Sequence, residues 1–261
     1  MLTLDYKHRL GNCLLQYCAA YLMAEKHDLL FKVDASNTKN THVAANWGKY
    51  FNIIPPTGDK IYDTTLTVSI KNYNQIYHKE KIETNLHLNC YFQHKSIFVN
   101  NADRIKKIFN LTYEEVDPSD VFVMYRIGDL EGKREMVPKE YYEEVLTLIN
   151  TKKGYISSDS PNHPYILDLQ NKFNLTLYNE NTLNTLNFAK NFNNIVVGEG
   201  TFHWWAAFFS KAKNIYYNKR NWSWFGKSIY EFPDWKYCSW DWCNSVSEIN
   251  KEIINFKPVK I

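Results

Sequence analysis

From Val121 to Tyr217 the chain alternates short β-type runs with helical runs, and this alternation limits its fold more than any other feature. Val121–Tyr125 and residues 154–157, 175–178, 195–197 and 214–217 are brief and rich in β-branched or aromatic side chains. Between them lie helical stretches. The first opens at Pro138, which suits a first helical position, and sets Tyr142, Val145, Leu146 and Ile149 on one face. Pro164–Phe173, residues 183–190 and Thr201–Phe209 follow. Strands that alternate with helices predict a parallel sheet covered on both faces.

The first half is less regular. Residues 2–6 read as a short strand, and Leu10-Gly11-Asn12 as a turn. From Asn12, Leu14, Leu15, Cys18, Ala19 and Leu22 recur at helical spacing, and residues 29–33 read as a strand. Residues from about 36 to 75 are rich in Asn, Thr and Lys, carry Pro55-Pro56, and are expected to form loops and short pieces. A boundary at Asp117-Pro118 divides the chain into an N-terminal α/β domain, 1–117, and a C-terminal one, 118–261.

Composition excludes some classes. At 44% hydrophobic and 23% charged residues, the 261-residue chain is ordinary globular protein. A net charge of +3 is too small to argue for nucleic acid, although a phosphate-bearing small molecule needs only a few local cations. None of the five cysteines, Cys13, Cys18, Cys90, Cys238 and Cys243, forms a C-x-x-C pair, so no metal site is expected and free thiols are. The first residues lack an apolar signal core, and no run of about 18 apolar residues exists for a transmembrane segment. The expected location is cytoplasmic, with peripheral membrane association and oligomeric state left open.

Ligands of open α/β sheets bind beyond the carboxyl ends of the strands. Four junctions are expected there: Leu10-Gly11-Asn12, Arg126-Ile127-Gly128-Asp129, Ser157-Ser158-Asp159 and Gly200-Thr201-Phe202. Together they gather a guanidinium, carboxylates, an amide, hydroxyls and helix N-termini. That set suits a nucleotide diphosphate, because Arg grips phosphate through a planar fork and helix N-termini attract anions. Each element also has a plainer reading. Gly11 makes a turn, Asn12 caps a helix, Arg126 and Asp129 form a surface ion pair, Ser157-Ser158-Asp159 is a cap cluster, and Trp204 and Trp205 are core.

These residues resemble the α-1,2-fucosyltransferase family and its relatives, the α-1,6- and protein O-fucosyltransferases. LGNCLLQY (10–17) is similar to the family's LGNQ-x-FQY, and CYFQHKSIF (90–98), followed by Asp103-Arg104-Ile105, to its GYFQS-x-KYF block. YRIGD (125–129) resembles the H-x-RRGD loop, and Val137-Pro138-Lys139-Glu140-Tyr141-Tyr142 the segment after it. ISSD (156–159) resembles FSDD, and GEGTFHWWAAF (198–208) resembles NSTFSWWGAWL. The order holds from residue 10 to about 225.

The resemblance implies a GT-B-like fold, two Rossmann-type domains with parallel sheets facing a cleft. It also implies metal-independent, inverting transfer of fucose from GDP-fucose to a hydroxyl of a glycan acceptor, with α-1,2 the expected linkage and no further cofactor. By motif match Arg126 and the Gly200-Thr201 turn hold the β-phosphate, and Gly11 and Asn12 approach the phosphate or the sugar. Phe202 faces the guanine, and Ser158 and Asp159 lie at the nucleotide rim. Breaking the anomeric bond leaves negative charge on GDP, which preorganised cationic and N–H donors stabilise. The acceptor hydroxyl needs a general base; Glu135, Glu131, Asp129 and Glu199 are candidates, with Glu135 preferred. The chain departs from the family at Met124 and Ile127, where the loop has His and Arg, and at Cys13 and Glu199-Gly200. The His lies near the guanine in relatives, so weaker guanine selectivity is expected here. Two other readings are a transferase using another nucleotide sugar or a pyruvyl donor, and a glycan-binding module that has lost catalysis.

Overall fold

A computed structural model describes residues 1–33, 47–133, 136–151, 153–219, 229, 232 and 234–239. The chain divides after Leu111 into two units, the first being Met1–Leu111 together with Ile229. The sequence placed the boundary at 117/118.

The first unit runs β1 (Leu2–Leu4), α1 (Leu10–Lys26), α2 (Trp47–Tyr50), β2 (Thr65–Val68), α3 (Tyr73–Tyr77), β3 (Asn85–Leu88), α4 (Lys95–Val99) and α5 (Ala102–Ile108). Its strands form a parallel sheet in the order β1-β3-β2. Fourteen of the 17 residues of α1 are buried, so this helix is core on nearly all sides rather than amphipathic. Two expectations change. Leu10, Gly11 and Asn12 are the first turn of α1, not a turn before it. Residues 29–33 make only isolated bridges, Leu2 to Phe31 and Leu29 to Lys60. The stretch expected to form loops and short pieces holds the short elements α2, β2 and the start of α3; in β2 Leu66 and Val68 alternate with threonines, but only Val68 is buried.

The second unit is the alternating half. It runs β4 (Val121–Tyr125), a 3-10 turn (Gly128–Leu130), α6 (Lys139–Ile149), β5 (Gly154–Ser158), α7 (Pro164–Phe173), β6 (Leu175–Leu177), α8 (Thr182–Ala189), β7 (Asn194–Val197), α9 (Thr201–Phe209), β8 (Asn214–Lys219) and β9 (Lys236–Ser239). All six strands are parallel, in the order β6-β5-β4-β7-β8-β9. Counted along the unit this is 3-2-1-4-5-6, the order of Rossmann-like dinucleotide-binding folds. The last strand expected was 214–217, so β9 is an addition.

Helices cover both faces of this sheet. Val121, Val123 and Tyr125 pack with Tyr141, Tyr142, Val145 and Leu146 of α6 and with Ile166 and Leu169 of α7. Phe122 points the other way, to Phe188 of α8 and to Phe192, with ring centroids 5.8 and 5.3 Å away. Burial on both faces is why β4 reads Val-Phe-Val-Met-Tyr without a polar residue. Helices α6 and α7 each stop at an asparagine in the left-handed region, Asn150 and Asn174, a conformation that asparagine tolerates. Among the described residues, no helix is long and apolar enough to cross a membrane.

Candidate functional site

In the second unit the strand order reverses between β4 and β7. A crevice opens at such a reversal because the connections leaving the two strands go to opposite faces of the sheet. The two segments at the carboxyl ends here are Arg126-Ile127-Gly128-Asp129 and Gly198-Glu199-Gly200.

The two strand ends are locked together. Gly198 N–H donates to the Met124 carbonyl at 3.0 Å, and the Tyr142 hydroxyl donates to the same carbonyl at 3.1 Å. A Cβ on Gly198 would lie 2.1 Å from that hydroxyl, so glycine is required by close approach. The Tyr142 ring stacks on Tyr125 with centroids 4.1 Å apart. The Tyr141 hydroxyl reaches the Val197 carbonyl at 3.3 Å.

Arg126 leaves the end of β4 half-buried. Its Nε and Nη2 donate to the two carboxylate oxygens of Asp129 at 2.9 and 2.7 Å. This bidentate grip uses one edge of the guanidinium and fixes its plane. The other side, Nη1, faces Gly200, where a Cβ would stand 3.2 Å away. Gly200 has φ of +122°, a conformation that L side chains rarely adopt, and it is the N-cap of α9. As a glycine, this N-cap has no side chain with which to cap the helix. The positive end of a nine-residue helix and a guanidinium held in place by a carboxylate therefore meet at the reversal.

Asp159 joins two of these loops. Its Oδ1 accepts from Ile127 N–H at 2.8 Å and from Gly128 N–H at 3.2 Å, which ties the loop after β5 to the loop that carries Arg126. Ser160 Oγ adds a contact to Gly128 N–H at 3.1 Å, and Ser158 Oγ accepts from Ser160 N–H at 3.1 Å. Asp159 and Ser158 thus shape the loops. Asp129 likewise orients Arg126.

The other candidates are distributed as follows. Thr201 and Phe202 are half-buried in the first turn of α9. Gly11 and Asn12 belong to the first unit and its separate sheet, so the four junctions are not on one sheet edge. There Asn12 Oδ1 accepts from Gln93 Nε2 at 2.7 Å, and Gln16 Nε2 donates to the Cys90 carbonyl at 3.1 Å, which joins the 10–17 motif to the 90–98 motif. Glu135 lies outside the described residues. Glu131 is exposed, 3.4 Å from His163 Nε2. Met124 is 1% exposed, so its side chain presents no surface to a ligand. Trp204 and Trp205 are core, as the plainer reading had them: Trp204 stacks on Phe208 with centroids 4.7 Å apart and meets Trp235 and Phe232.

Sequence reasoning missed His203. It is buried, and desolvation first and the Arg126 charge second push its pKa down to about 3, against a smaller opposing effect of a hydrogen bond with the Gly198 backbone. The signal was present as a single ionisable residue in the otherwise apolar helix Thr-Phe-His-Trp-Trp-Ala-Ala-Phe-Phe. Among the described residues, no group of His, Cys, Asp and Glu is arranged to hold a metal ion. Cys13, Cys18 and Cys90 are free thiols, and burial pushes that of Cys13 up to about 12, so it is unreactive.

No protein-family model matches the chain, and no curated protein matches it significantly.

Proposed function

We propose that the second unit binds the diphosphate of a nucleotide sugar at the β4–β7 reversal, and that the protein is an inverting glycosyltransferase. The observation that carries this reading is the juxtaposition of Arg126 Nη1 with the glycine-capped start of α9 in a 3-2-1-4-5-6 sheet. A guanidinium and a helix N-terminus converge where a diphosphate leaving group needs charge stabilisation. Arg126 supplies the cationic donor, the first amides of α9 supply N–H donors, Asp129 positions Arg126, and Asp159 positions the loop. With these donors the leaving group is stabilised without metal.

The motif resemblance supplies the finer terms: GDP-fucose as donor, a glycan hydroxyl as acceptor, a GT-B arrangement of the two units and a cytoplasmic location. Asp129 is spent on Arg126, which favours a base from elsewhere, and Glu135 remains the preferred residue.

The test is calorimetric titration with GDP, UDP, ADP and CDP, followed by transfer assays with GDP-fucose. GDP is expected to bind best. Arg126→Lys keeps the charge but loses the fork, and is expected to lower turnover on the order of 100-fold. Near-normal transfer by this variant refutes the role of Arg126, and tightest binding of UDP refutes the donor.

A further inference from the structure

A sheet of order 3-2-1-4-5-6 that takes a dinucleotide uses two groups to do so. The turn after its first strand, with the helix that opens there, holds the pyrophosphate, and an acidic residue beyond its second strand holds a ribose hydroxyl. In this unit the first strand is β4 and the second is β5. The turn after β4 is Arg126-Ile127-Gly128-Asp129, and the acidic residue beyond β5 is Asp159. Here the two groups are bonded to each other. Asp159 Oδ1 accepts from the Ile127 amide at 2.8 Å and from the Gly128 amide at 3.2 Å. Asp159 Oδ2 stands over Gly128 so closely that a Cβ there would lie 2.6 Å from it. The turn leads into three residues of 3-10 helix, and α6 begins only at Lys139, so no α-helix opens directly at the turn.

A phosphate cannot share these amides with a carboxylate. It would have to displace Oδ1, and the carboxylate charge beside it would repel it. We infer that Asp159 fills, from within the chain, the place where such a sheet holds a dinucleotide's pyrophosphate, and that it closes this unit to dinucleotides. The ligand class left to the β4–β7 reversal is a mononucleotide or its sugar ester, with its phosphates on the side of Arg126 and α9. The exclusion stands on the sheet and its loops, whereas that last placement rests on the reading proposed above. Asp159 is thus a specificity-determining residue as well as a brace between loops. Gly128 and Asp159 are both exposed, so a dissolved anion reaches the amides once the carboxylate is removed.

The probe is formate, a carboxylate small enough to stand where the Asp159 carboxylate stands. Thermal unfolding of the whole chain, of Asp159→Ala and of Asp159→Asn is followed in sodium formate and in sodium chloride at equal ionic strength. Asp159→Ala opens the two amides, and Asp159→Asn keeps a side-chain oxygen on them. Formate is expected to raise the midpoint of Asp159→Ala by about 2–4 °C more than that of wild type or of Asp159→Asn. An equal shift in all three proteins puts formate elsewhere and overturns the inference. If Asp159→Ala does not fold in chloride, recovery of folded protein in formate supports the inference, and failure in both salts overturns it. Wild type is also titrated with NAD⁺ and with ADP, which share a base. Weaker binding of NAD⁺ than of ADP is expected, and binding of NAD⁺ as tight as that of ADP overturns the inference. Wild type that binds neither GDP nor ADP overturns the nucleotide-sugar reading alone, and the formate comparison then decides this one.

Discussion

Acidification tests the environment of His203 without any ligand. In the unfolded chain its imidazole titrates near the ordinary histidine value of 6.5, whereas in the folded chain it stays neutral until about pH 3. Between those values the unfolded state binds a proton that the folded state refuses, so stability falls as pH drops below 6.5 and is fully present above it. One pH unit in this window corresponds to about 1.4 kcal/mol. At pH 5 the proton uptake has cost about 2 kcal/mol, and at pH 7.5 almost nothing. Other groups titrate over the same range, so the measurement is a difference: urea unfolding of wild type and of His203→Asn at pH 7.5 and pH 5. The wild type is expected to lose about 2 kcal/mol more than the variant on acidification. Parallel losses in the two proteins refute a buried neutral histidine beside Arg126.

Three further outcomes are expected. Gly198→Ala forces a methyl to within 2.1 Å of the Tyr142 hydroxyl, and should destabilise the protein by about 2–3 kcal/mol by overpacking, read as a lowered unfolding midpoint. Asp159→Ala leaves the Ile127 amide without its acceptor and releases the Arg126 loop; a stability loss of about 1–3 kcal/mol should accompany weaker GDP binding, and unchanged binding argues against the positioning role. Transfer should survive excess EDTA, because leaving-group charge is assigned to Arg126 and the α9 amides; loss with EDTA and recovery with Mg²⁺ or Mn²⁺ points to a metal-dependent transferase.

The second unit was legible where residues decide structure locally. The run Val-Phe-Val-Met-Tyr demanded a strand buried on both faces, and it spans β4 to the residue. Pro164 and Phe173 bound α7 as expected. Legibility failed where structure depends on distant partners. β2 pairs with β3, and its Thr-Leu-Thr-Val sequence alternates too briefly, with only Val68 buried, to mark it as a strand by itself. Residues 29–33 have strand composition but find only single bridges. At the site, residue types were readable, and partners only where they are close in the chain. The Arg126–Asp129 ion pair was one of the plainer readings, whereas nothing in the sequence joined Asp159 to the Ile127 and Gly128 amides. His203 was overlooked because its meaning comes from burial, which an apolar helix conceals as core.

The strand at the middle of the six-stranded sheet is also the earliest one of its unit to be synthesised. β4 pairs with β5 on one side and with β7 on the other. A growing chain therefore builds outward from its oldest strand, first through α6 and β5 to β6, and only then back across to β7. The half-sheet of β4, β5 and β6 takes shape from near neighbours in the chain, whereas the β4–β7 pairing closes a long loop and comes late. Until β7 arrives, one long edge of β4 has no strand beside it, and α9 is absent from the reversal. The order of synthesis thus makes the β4–β7 reversal the last part of the unit's centre to be completed.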